Sequence, residues 1–426
     1  MNSLKKYPII IITILVLSNF LPYFYDMALS KRGNYVKVGF SPVTETFIKT
    51  TYPAGASRKA IYSTMDDKTT FTREKFEEFF PFTYFSDLIR WGTFPEKLAS
   101  FENNTSVIMS SKQRLYFIHR LIAKKEVGLY PLFESQSKFS GLELPEEFFR
   151  FNNKMEFINT TTNKIEPKQT KLFTKALKEK GFSFPMKKIF GQPVTRKPFD
   201  EGYFIVDNNN KFFHLKKQEG QPFIKEIKTN GIDIKYMLVD ENSRMEFYGL
   251  VLGENKRTYL LMYDDYEFVE LPIDNFDYTT DRLYVSTNPL YRYIDVDSNL
   301  EDKEVTTNYV TNLDYELVAK NSLEFPYEKE SFFKKLEESI FPFQFYFSKK
   351  GSYFYYPKIS NINEKAFIFN LLIVLLYLVY IKYSSRRISE HIINSILILS
   401  AGIYALIAIF TFARLLYFRK KIWKFY

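Results

Sequence analysis

The acidic run DVDSNLED comes nearest, among all stretches of this chain, to a metal site. Asp295, Asp297 and Asn299 stand at the first three ligand positions of a calcium-binding loop. That loop requires glycine where Leu300 stands and a bidentate glutamate where Thr306 stands. Because both positions fail, the run is interpreted as a solvated acidic turn, and no metal site is predicted.

Other residue types that could form a reactive site give no motif. The three histidines, His119, His214 and His391, are far apart in the sequence, and no H-E-x-x-H motif joins two of them. The chain has no cysteine, which excludes disulfides, thiolate metal sites and a cysteine nucleophile. No glycine loop of a phosphate-binding type is present. No cofactor is therefore predicted.

A basic segment followed by an acidic one precedes Gly202. Residues 195–198 (TRKP) are followed by Asp200 and Glu201. Such a loop could line a binding site or form an exposed turn, and the turn is the favoured interpretation. Carboxylates are plentiful, so a pair for general acid–base catalysis stays open. The sequence singles out no pair, and the catalytic residues are unknown.

Three apolar stretches, residues 8–25, 366–381 and 392–412, decide the class of protein. A helix crosses a hydrocarbon core of roughly 30 Å with about 20 mostly apolar residues. The middle stretch is slightly short, but Lys365 and Lys382 can reach toward the interfaces and extend it. The sequence therefore predicts a multi-pass inner-membrane protein that contacts the lipid bilayer through an N-terminal anchor at 1–27 and two transmembrane helices at 363–412, followed by a basic tail at 413–426.

The distribution of charge argues against one class of partner. The formal net charge is +10, but Lys and Arg alternate with Asp and Glu and become dense only beside the apolar stretches and in the tail. A nucleic-acid-binding protein would gather these charges on one stripe. No nucleic-acid partner is therefore predicted.

Basic residues also predict an orientation, because they favour the cytoplasmic side of a membrane. Two groups of them place residues 26–364 outside the cytoplasm: Lys5 and Lys6 at the N-terminus, and Lys382, Arg386 and Arg387 in the last loop. Lys31, Arg32 and the basic tail favour the opposite side. An exported domain is the favoured prediction, and a cytoplasmic domain is the alternative.

The chain between the apolar stretches has an α+β pattern, mixed in residues 28–200 and β-rich in residues 201–362. Apolar spacing and end signals predict helices from Thr72 to Phe80, from Thr83 to Trp91 and over 168–180. Strands are predicted near 105–110 and 114–121. From residue 202 onward, short alternating runs between turn residues predict an antiparallel meander.

The meander contains a weak repeat. The segment FIVDNNNKFFHL (204–215) aligns with LVLGENKRTYLL (250–261) at an offset of 46 residues. A period of this length is typical of propeller blades with about four strands each. A twisted meander sheet and a partial propeller therefore both stay open.

Several segments are similar to a bacterial membrane-protein family, Domain of Unknown Function 4857. The resemblance rests on FSPVTETFI (40–48), the segment 128–158, GQPVTRKPFDEGYF (191–204) and ENSRMEFYGLVL (241–252), among others. It implies no established activity and no catalytic residues. Its members resemble components encoded beside ABC-type export systems, which implies ABC-transporter subunits as possible partners.

Two functions from different classes are compatible with these observations. The favoured one is a non-enzymatic accessory or binding protein, anchored in the membrane, that presents a β-rich surface to a transporter or envelope partner. The alternative is a membrane-bound extracytoplasmic hydrolase that uses two carboxylates as acid and base.

Overall fold

The computed structural model describes residues 6–29, 34–54, 59–122, 128–274, 276–300, 303–326, 332–350, 354–385 and 387–422, and their side chains except those of 326, 334, 349, 350, 354 and 413–422. Lys5, Lys31, Arg32, Arg386 and the side chains of the tail, which carry the orientation argument, lie outside the described residues. The chain divides into a sheet unit (Asn34–Pro53 and Ser57–Pro326) and a helical unit (Met1–Gly33, Ala54–Ala56 and Tyr327–Tyr426).

In the described part of the sheet unit, the strands form five antiparallel sheets. The first contains β1 (Tyr35–Ser41), β2 (Thr46–Tyr52), β3 (Ile61–Thr64) and β4 (Thr70–Phe71), and the second contains β6 (Tyr130–Pro131), β7 (Glu147–Phe151), β8 (Met155–Asn159) and β9 (Lys164–Ile165). The third contains β10 (Lys188–Gly191), β11 (Tyr203–Val206), β12 (Phe212–Gln218) and β13 (Gln221–Ile227), and the fourth contains β14 (Ile234–Val239), β15 (Phe247–Gly253), β16 (Thr258–Met262) and β17 (Phe268–Glu270). The fifth contains β18 (Arg282–Thr287), β19 (Arg292–Asn299), β20 (Lys303–Thr311) and β21 (Leu317–Pro326), with β5 (Arg114–Ile118) beside β18.

The second to fifth sheets stack face to face in order, since the central strands of the third and fourth sheets are apolar on both faces. In the third sheet, Ile205 and Phe213 share a core with Phe149 of the second sheet, whereas Phe204 shares the next core with Val251 of the fourth sheet. The opposite face of the fourth sheet packs against the fifth in a third core that contains Leu250, Leu260, Leu283 and Ile294. The predicted antiparallel meander is confirmed, and among the described strands no closed barrel or propeller is found.

The two repeat segments form equivalent parts of the third and fourth sheets. Each one supplies the second strand, the turn and the third strand of its sheet. The turns also match in their backbone geometry: Asn210 and Lys256, which lie 46 residues apart, have φ values of 63° and 64°. The Asp207 N–H donates to the Lys211 carbonyl at 2.9 Å, and the Gly253 N–H donates to the Arg257 carbonyl at 3.0 Å. The repeat is therefore a structural one.

The predicted helices of the sheet unit form with small shifts of their ends. They are α2 (Arg73–Phe79), α3 (Pro81–Trp91) and α6 (Pro167–Glu179). Thr72 caps α2 by accepting a hydrogen bond from the Lys75 N–H at 3.2 Å. The strand predicted near 105–110 is wrong, because this segment forms the helix α5 (Thr105–Ser110), after the short helix α4 (Ala99–Glu102). In α5, only Ile108 is buried, against Phe82 and Leu98.

The helical unit consists of α1 (Tyr7–Leu29), α7 (Phe332–Ile340), the hairpin of β22 (Gln344–Lys350) and β23 (Phe354–Ser360), α8 (Glu364–Tyr383) and α9 (Ile392–Ile422). In the part of the chain that the structure describes, three helical segments are long and apolar enough to cross a membrane: Tyr7–Leu29, Glu364–Tyr383 and Ile388–Phe412. They pack through a common apolar core that contains Ile14, Ile373 and Tyr404. Their outer faces expose large apolar side chains such as Ile12, Ile368 and Leu376.

A backbone break divides α9 at Gly402, which has φ +53° and ψ −129°. A break leaves helix carbonyls without their usual partners. The Asn370 side chain, buried on α8, donates a hydrogen bond to the Leu399 carbonyl at 3.1 Å. A polar side chain of one apolar helix thus supports the irregular backbone of another.

Candidate functional site

A cavity of about 230 Å³ lies against one face of the fifth sheet. Strand alternation gives this sheet one apolar face, with Leu283, Val285 and Ile294 in the core, and one polar face. The polar face supplies Tyr284, Ser286, Tyr293, Asp295 and Asn308 to the cavity. The other wall comes from β1, β2, the turn between them, the start of α3 and the residue before it: Val38, Gly39, Phe40, Pro42, Phe47, Phe80, Phe82 and Thr83. We call it the Asp295 cavity.

Asp295 is the only acidic residue among the described residues that line this cavity. Asn308 pairs with Asp295 on the neighbouring strand β20, and its Nδ2 donates a hydrogen bond to Asp295 Oδ1 at 2.7 Å. Burial raises the pKa of Asp295 to about 6, although the bond from Asn308 lowers it, and the charge of Asp297 raises it further. The carboxyl group can therefore exist in both protonation states near neutral pH, as either a hydrogen-bond donor or an acceptor.

The amide of Asn288 and the phenol of Tyr293 continue this polar wall. Asn288 Nδ2 donates to the Tyr293 hydroxyl at 2.8 Å, and the Asn288 side-chain oxygen accepts from the N–H groups of Leu290 and Tyr291 at 2.8 and 2.7 Å. Burial raises the pKa of Tyr293, so its hydroxyl stays protonated. The groups are held in place before any ligand arrives, which lowers the entropy cost of binding.

The opposite wall is aromatic. Phe40 and Phe82 are buried, with 3 % and 4 % of their surface exposed, and the ring of Phe80 lies over Gly39. A Cβ at Gly39 would lie 2.8 Å from Phe80 Cε1, so the absence of a side chain at this position lets the ring approach the wall. A polar sheet opposite aromatic rings, in a concave site, is typical of a small-molecule site.

Two cations complete the lining. Lys112 precedes β5, and Arg114 lies two residues further on the same face of that strand. Burial, and then the charge of Arg114, lowers the pKa of Lys112. The Lys112 ammonium lies 5.0 Å from the centre of the Phe85 ring.

The acidic run at 295–299 is placed differently from the prediction. It forms part of the strand β19 and not a solvated turn, since alternating apolar residues on this strand (Ile294 and Val296) are buried in the core. Asp295 and Asp297 share one face of the strand, and the Thr306 hydroxyl donates to Asp297 Oδ1 at 2.8 Å. Among the described residues, no group of three or more His, Cys, Asp or Glu could hold a metal ion.

The loop before Gly202 agrees with the predicted exposed turn only in part, because Thr195, Arg196 and Pro198 are exposed whereas Asp200 and Glu201 are buried. The Lys197 side chain is 2 % exposed, and its ammonium lies 2.5 Å from Asp200 Oδ1 and 2.6 Å from Glu241 Oε2. Lys216 lies 2.8 Å from Glu201 Oε2. We call Lys197, Asp200, Glu201, Lys216 and Glu241 the buried ion cluster.

Each carboxylate of the buried ion cluster has hydrogen-bond donors from the protein. Asp200 also accepts from the Gly202 N–H at 3.0 Å, Glu241 from the Glu201 N–H at 2.6 Å, and Glu201 from the Tyr263 hydroxyl at 2.6 Å. Burial raises the pKa of Glu241 to about 7, although Lys197 lowers it. Because the groups pair with one another, the cluster links the loops and strands of the third and fourth sheets and offers little to a ligand.

The three histidines make separate contacts. His214, on β12, is fully buried and stacks on Phe204, with ring centroids 4.2 Å apart. Its Nδ1 lies 2.8 Å from the Tyr266 hydroxyl and its Nε2 lies 2.6 Å from the Glu201 carbonyl, and burial lowers its pKa to about 3. His391 belongs to the helical unit, where its Nδ1 lies 2.8 Å from the Tyr377 hydroxyl. His119 lies in a 3₁₀ turn directly after β5.

Sequence reasoning missed the Asp295 cavity, since its residues come from segments about 250 positions apart. The only local signal is the alternation in RYIDVDSN, which places Asp295 and Asp297 on the face opposite to Ile294 and Val296.

A comparison with known protein families finds a match over most of the sheet unit. The family described as Domain of unknown function (DUF4857) matches residues 37–310, which is more than half of the chain. Every residue that lines the Asp295 cavity lies within this segment. No curated protein and no solved structure matches the chain. The family expected from the sequence is therefore confirmed, and this protein belongs to the DUF4857 family.

Proposed function

We propose that this protein is a membrane-anchored, non-enzymatic binding protein whose sheet unit holds a small polar ligand in the Asp295 cavity. The observation that carries the proposal is the lining of that cavity: hydrogen-bonding groups on one wall, aromatic rings on the other, and a single carboxylate. A hydrolase of the predicted type needs two carboxylates across a cleft. A binding site needs only the groups already in place.

The three apolar helical segments support the anchoring part of the proposal. Their length, and the apolar side chains exposed on their outer faces, suit a lipid environment. We propose an inner-membrane location with residues 26–364 outside the cytoplasm, and ABC-transporter subunits as partners that receive or supply the ligand. Stacked sheets of about four strands further support a partial propeller as the architecture of the sheet unit.

The binding role is tested by what the protein retains. The full-length chain is purified in mild detergent, denatured, and the released small molecules are identified by mass spectrometry. Ser286→Phe fills the cavity, and the exposed Ser322→Phe on the same sheet is the matched control. We expect one compound, near stoichiometric, in the wild type and in Ser322→Phe but not in Ser286→Phe. Equal retention by all three, or none by any, would contradict the proposal.

The partner proposal has its own test. Co-purification from the same detergent extract is followed by identification of the accompanying chains. ABC-transporter subunits at a fixed ratio are expected. A monomer without them would count against this partner and would leave the binding role intact.

One observation favours the hydrolase as a second candidate. Asp295 and Asp297 project from the same face of β19, two residues apart, which corresponds to roughly 7 Å between their Cα atoms. Carboxylate acid–base hydrolysis of glycosides uses two carboxyl groups that lie about 5–9 Å apart. Turnover of glycosides by the wild type that is abolished in both Asp295→Asn and Asp297→Asn would establish it. Ligand retention without turnover would exclude it.

A further inference from the structure

The Asp295 cavity carries two cations that the binding proposal leaves unused. Among the described residues, neither Lys112 nor Arg114 forms an ion pair with a carboxylate, although both line the cavity. Lys112 is half-buried and Arg114 is exposed, whereas the more deeply buried cations Lys197 and Arg292 are paired with Glu241 and Glu246. The two cations repel each other, and this repulsion is the second cause, after burial, of the lowered pKa of Lys112.

The lining has an excess of positive charge at neutral pH. Lys112 and Arg114 contribute two positive charges, and Asp295 contributes at most one negative charge. The lowered pKa of Lys112 reflects this environment: burial is its first cause, and the charge of Arg114 is its second. A negatively charged group between the two side chains would relieve both effects.

The other residues that line the cavity indicate which further groups the ligand carries. Asp295 and Asn308 present a carboxyl group and an amide, which suit hydroxyl groups, and the aromatic wall suits the flat face of a ring. A volume of about 230 Å³ accommodates a small molecule.

We propose that the ligand of the Asp295 cavity is a small, soluble, hydroxylated anion, whose phosphate or carboxylate group binds between Lys112 and Arg114 and whose hydroxyl groups contact Asp295 and Asn308. This proposal rests on the proposed binding function. It adds the chemical class of the ligand and assigns the two cations as its anion-binding residues.

Inorganic phosphate is the probe for the anion-binding residues. The full-length protein in detergent is titrated with phosphate at constant ionic strength by isothermal calorimetry. Lys112→Met/Arg114→Gln removes the two cations. Lys256→Met/Arg257→Gln, in the exposed turn between β15 and β16, is the control with the same change of charge. We expect saturable binding in the wild type and in the control, and binding about 10-fold weaker or more in the cavity variant.

The folding of each variant is checked by near-ultraviolet circular dichroism. If the double variant does not fold, Arg114→Gln alone, which changes an exposed side chain, is expected to keep the fold and still weaken binding several-fold. The absence of saturable phosphate binding in the folded wild type would overturn the inference. Equal weakening in the control pair would overturn it as well.

Competition then identifies the source of the anion. Glycerol 1-phosphate is expected to displace phosphate, and micelles containing phosphatidylglycerol are not. Displacement by the lipid alone would overturn the assignment of a soluble ligand. A neutral compound retained by the wild type and lost in Ser286→Phe would overturn the anion inference while leaving the binding function in place.

Discussion

The ionisation of Asp295 makes the stability of the folded protein depend on pH. Its pKa in the folded protein is raised from 3.8 to about 6. Between these two pH values the folded protein therefore keeps a proton that the unfolded chain has already released. The stability that this protonated group contributes is complete below about pH 4 and is lost as the pH rises to about 6. Above this window the ionised group is a cost to the folded state.

Replacing Asp295 with asparagine should remove this cost. The amide oxygen of the introduced side chain would still accept the hydrogen bond from Asn308 Nδ2. We expect Asp295→Asn to be about 2 kcal/mol more stable than the wild type at pH 7 and nearly equal at pH 4, by urea unfolding. Asp297→Asn is the control and should largely keep the pH dependence. A constant difference between wild type and Asp295→Asn at both pH values would argue against a raised pKa.

Lys197 is the central residue of the buried ion cluster. Lys197→Met would leave Asp200 and Glu241 facing each other without a cation, and a buried pair broken in this way costs about 3–5 kcal/mol. Arg257→Gln breaks the exposed pair with Glu270 and should cost less than about 1 kcal/mol. Chemical denaturation of both variants measures the difference, and similar losses would show that the cluster is not effectively buried.

The same cluster shows what a local sequence cannot predict. The segment around Lys197, Asp200 and Glu201 has the composition of an exposed turn, and its burial depends on Glu241, which follows 40 residues after Glu201. The burial of His214 is easier to predict from the sequence, since FFHL places it in an apolar run of a strand. Charge pairing between distant residues has no such local pattern.

At the scale of single elements, β11 depends on the glycine at its start. Gly202 has φ +65°, and a Cβ there would overlap the backbone carbonyl of Leu215 on the neighbouring strand β12. Gly220 has φ +73°, but a Cβ at that position would have no other atom within 4 Å, so only the backbone conformation opposes a side chain.

These two glycines make a matched pair of substitutions. We expect Gly202→Ala to cost about 2–4 kcal/mol, because backbone atoms cannot move aside easily, and Gly220→Ala about 1 kcal/mol. Thermal unfolding of the full-length protein in detergent compares them. Equal losses would mean that conformation alone, and not the approach of β12, determines the effect at Gly202.

The elements that were predicted correctly are those with a strong periodic pattern. The strands from residue 203 onward alternate or are continuously apolar, and α6 has apolar residues at helical spacing. The segment TSVIMS was wrongly predicted as a strand, because its six residues include β-branched types and are too few to show a helical period. The stacking of the sheets depends on which apolar faces meet, which periodicity alone does not define.

The whole molecule offers a direct test of orientation, because the chain contains no cysteine. Ser106→Cys introduces the only thiol, at an exposed position of α5 in the sheet unit. In intact cells whose outer envelope is permeabilised, a membrane-impermeant maleimide should label this thiol if the domain is exported. Labelling only after lysis of the membrane would indicate a cytoplasmic domain.

In fractionation, the protein should pellet with membranes and require detergent for release.

The Asp295 cavity also joins the two ends of the sheet unit in sequence. Its walls come from 38–47 near the start of the unit and from 284–310 near its close, with little contribution from the 170 or so positions between Arg114 and Tyr284. A ligand bound there would therefore contact the first and the last sheet at the same time and hold them together. In hydrogen–deuterium exchange, a bound ligand should lower the amide exchange rates of both terminal segments together and leave those of the third sheet unchanged. Ligand binding would then stabilise the contact between the first and last sheets.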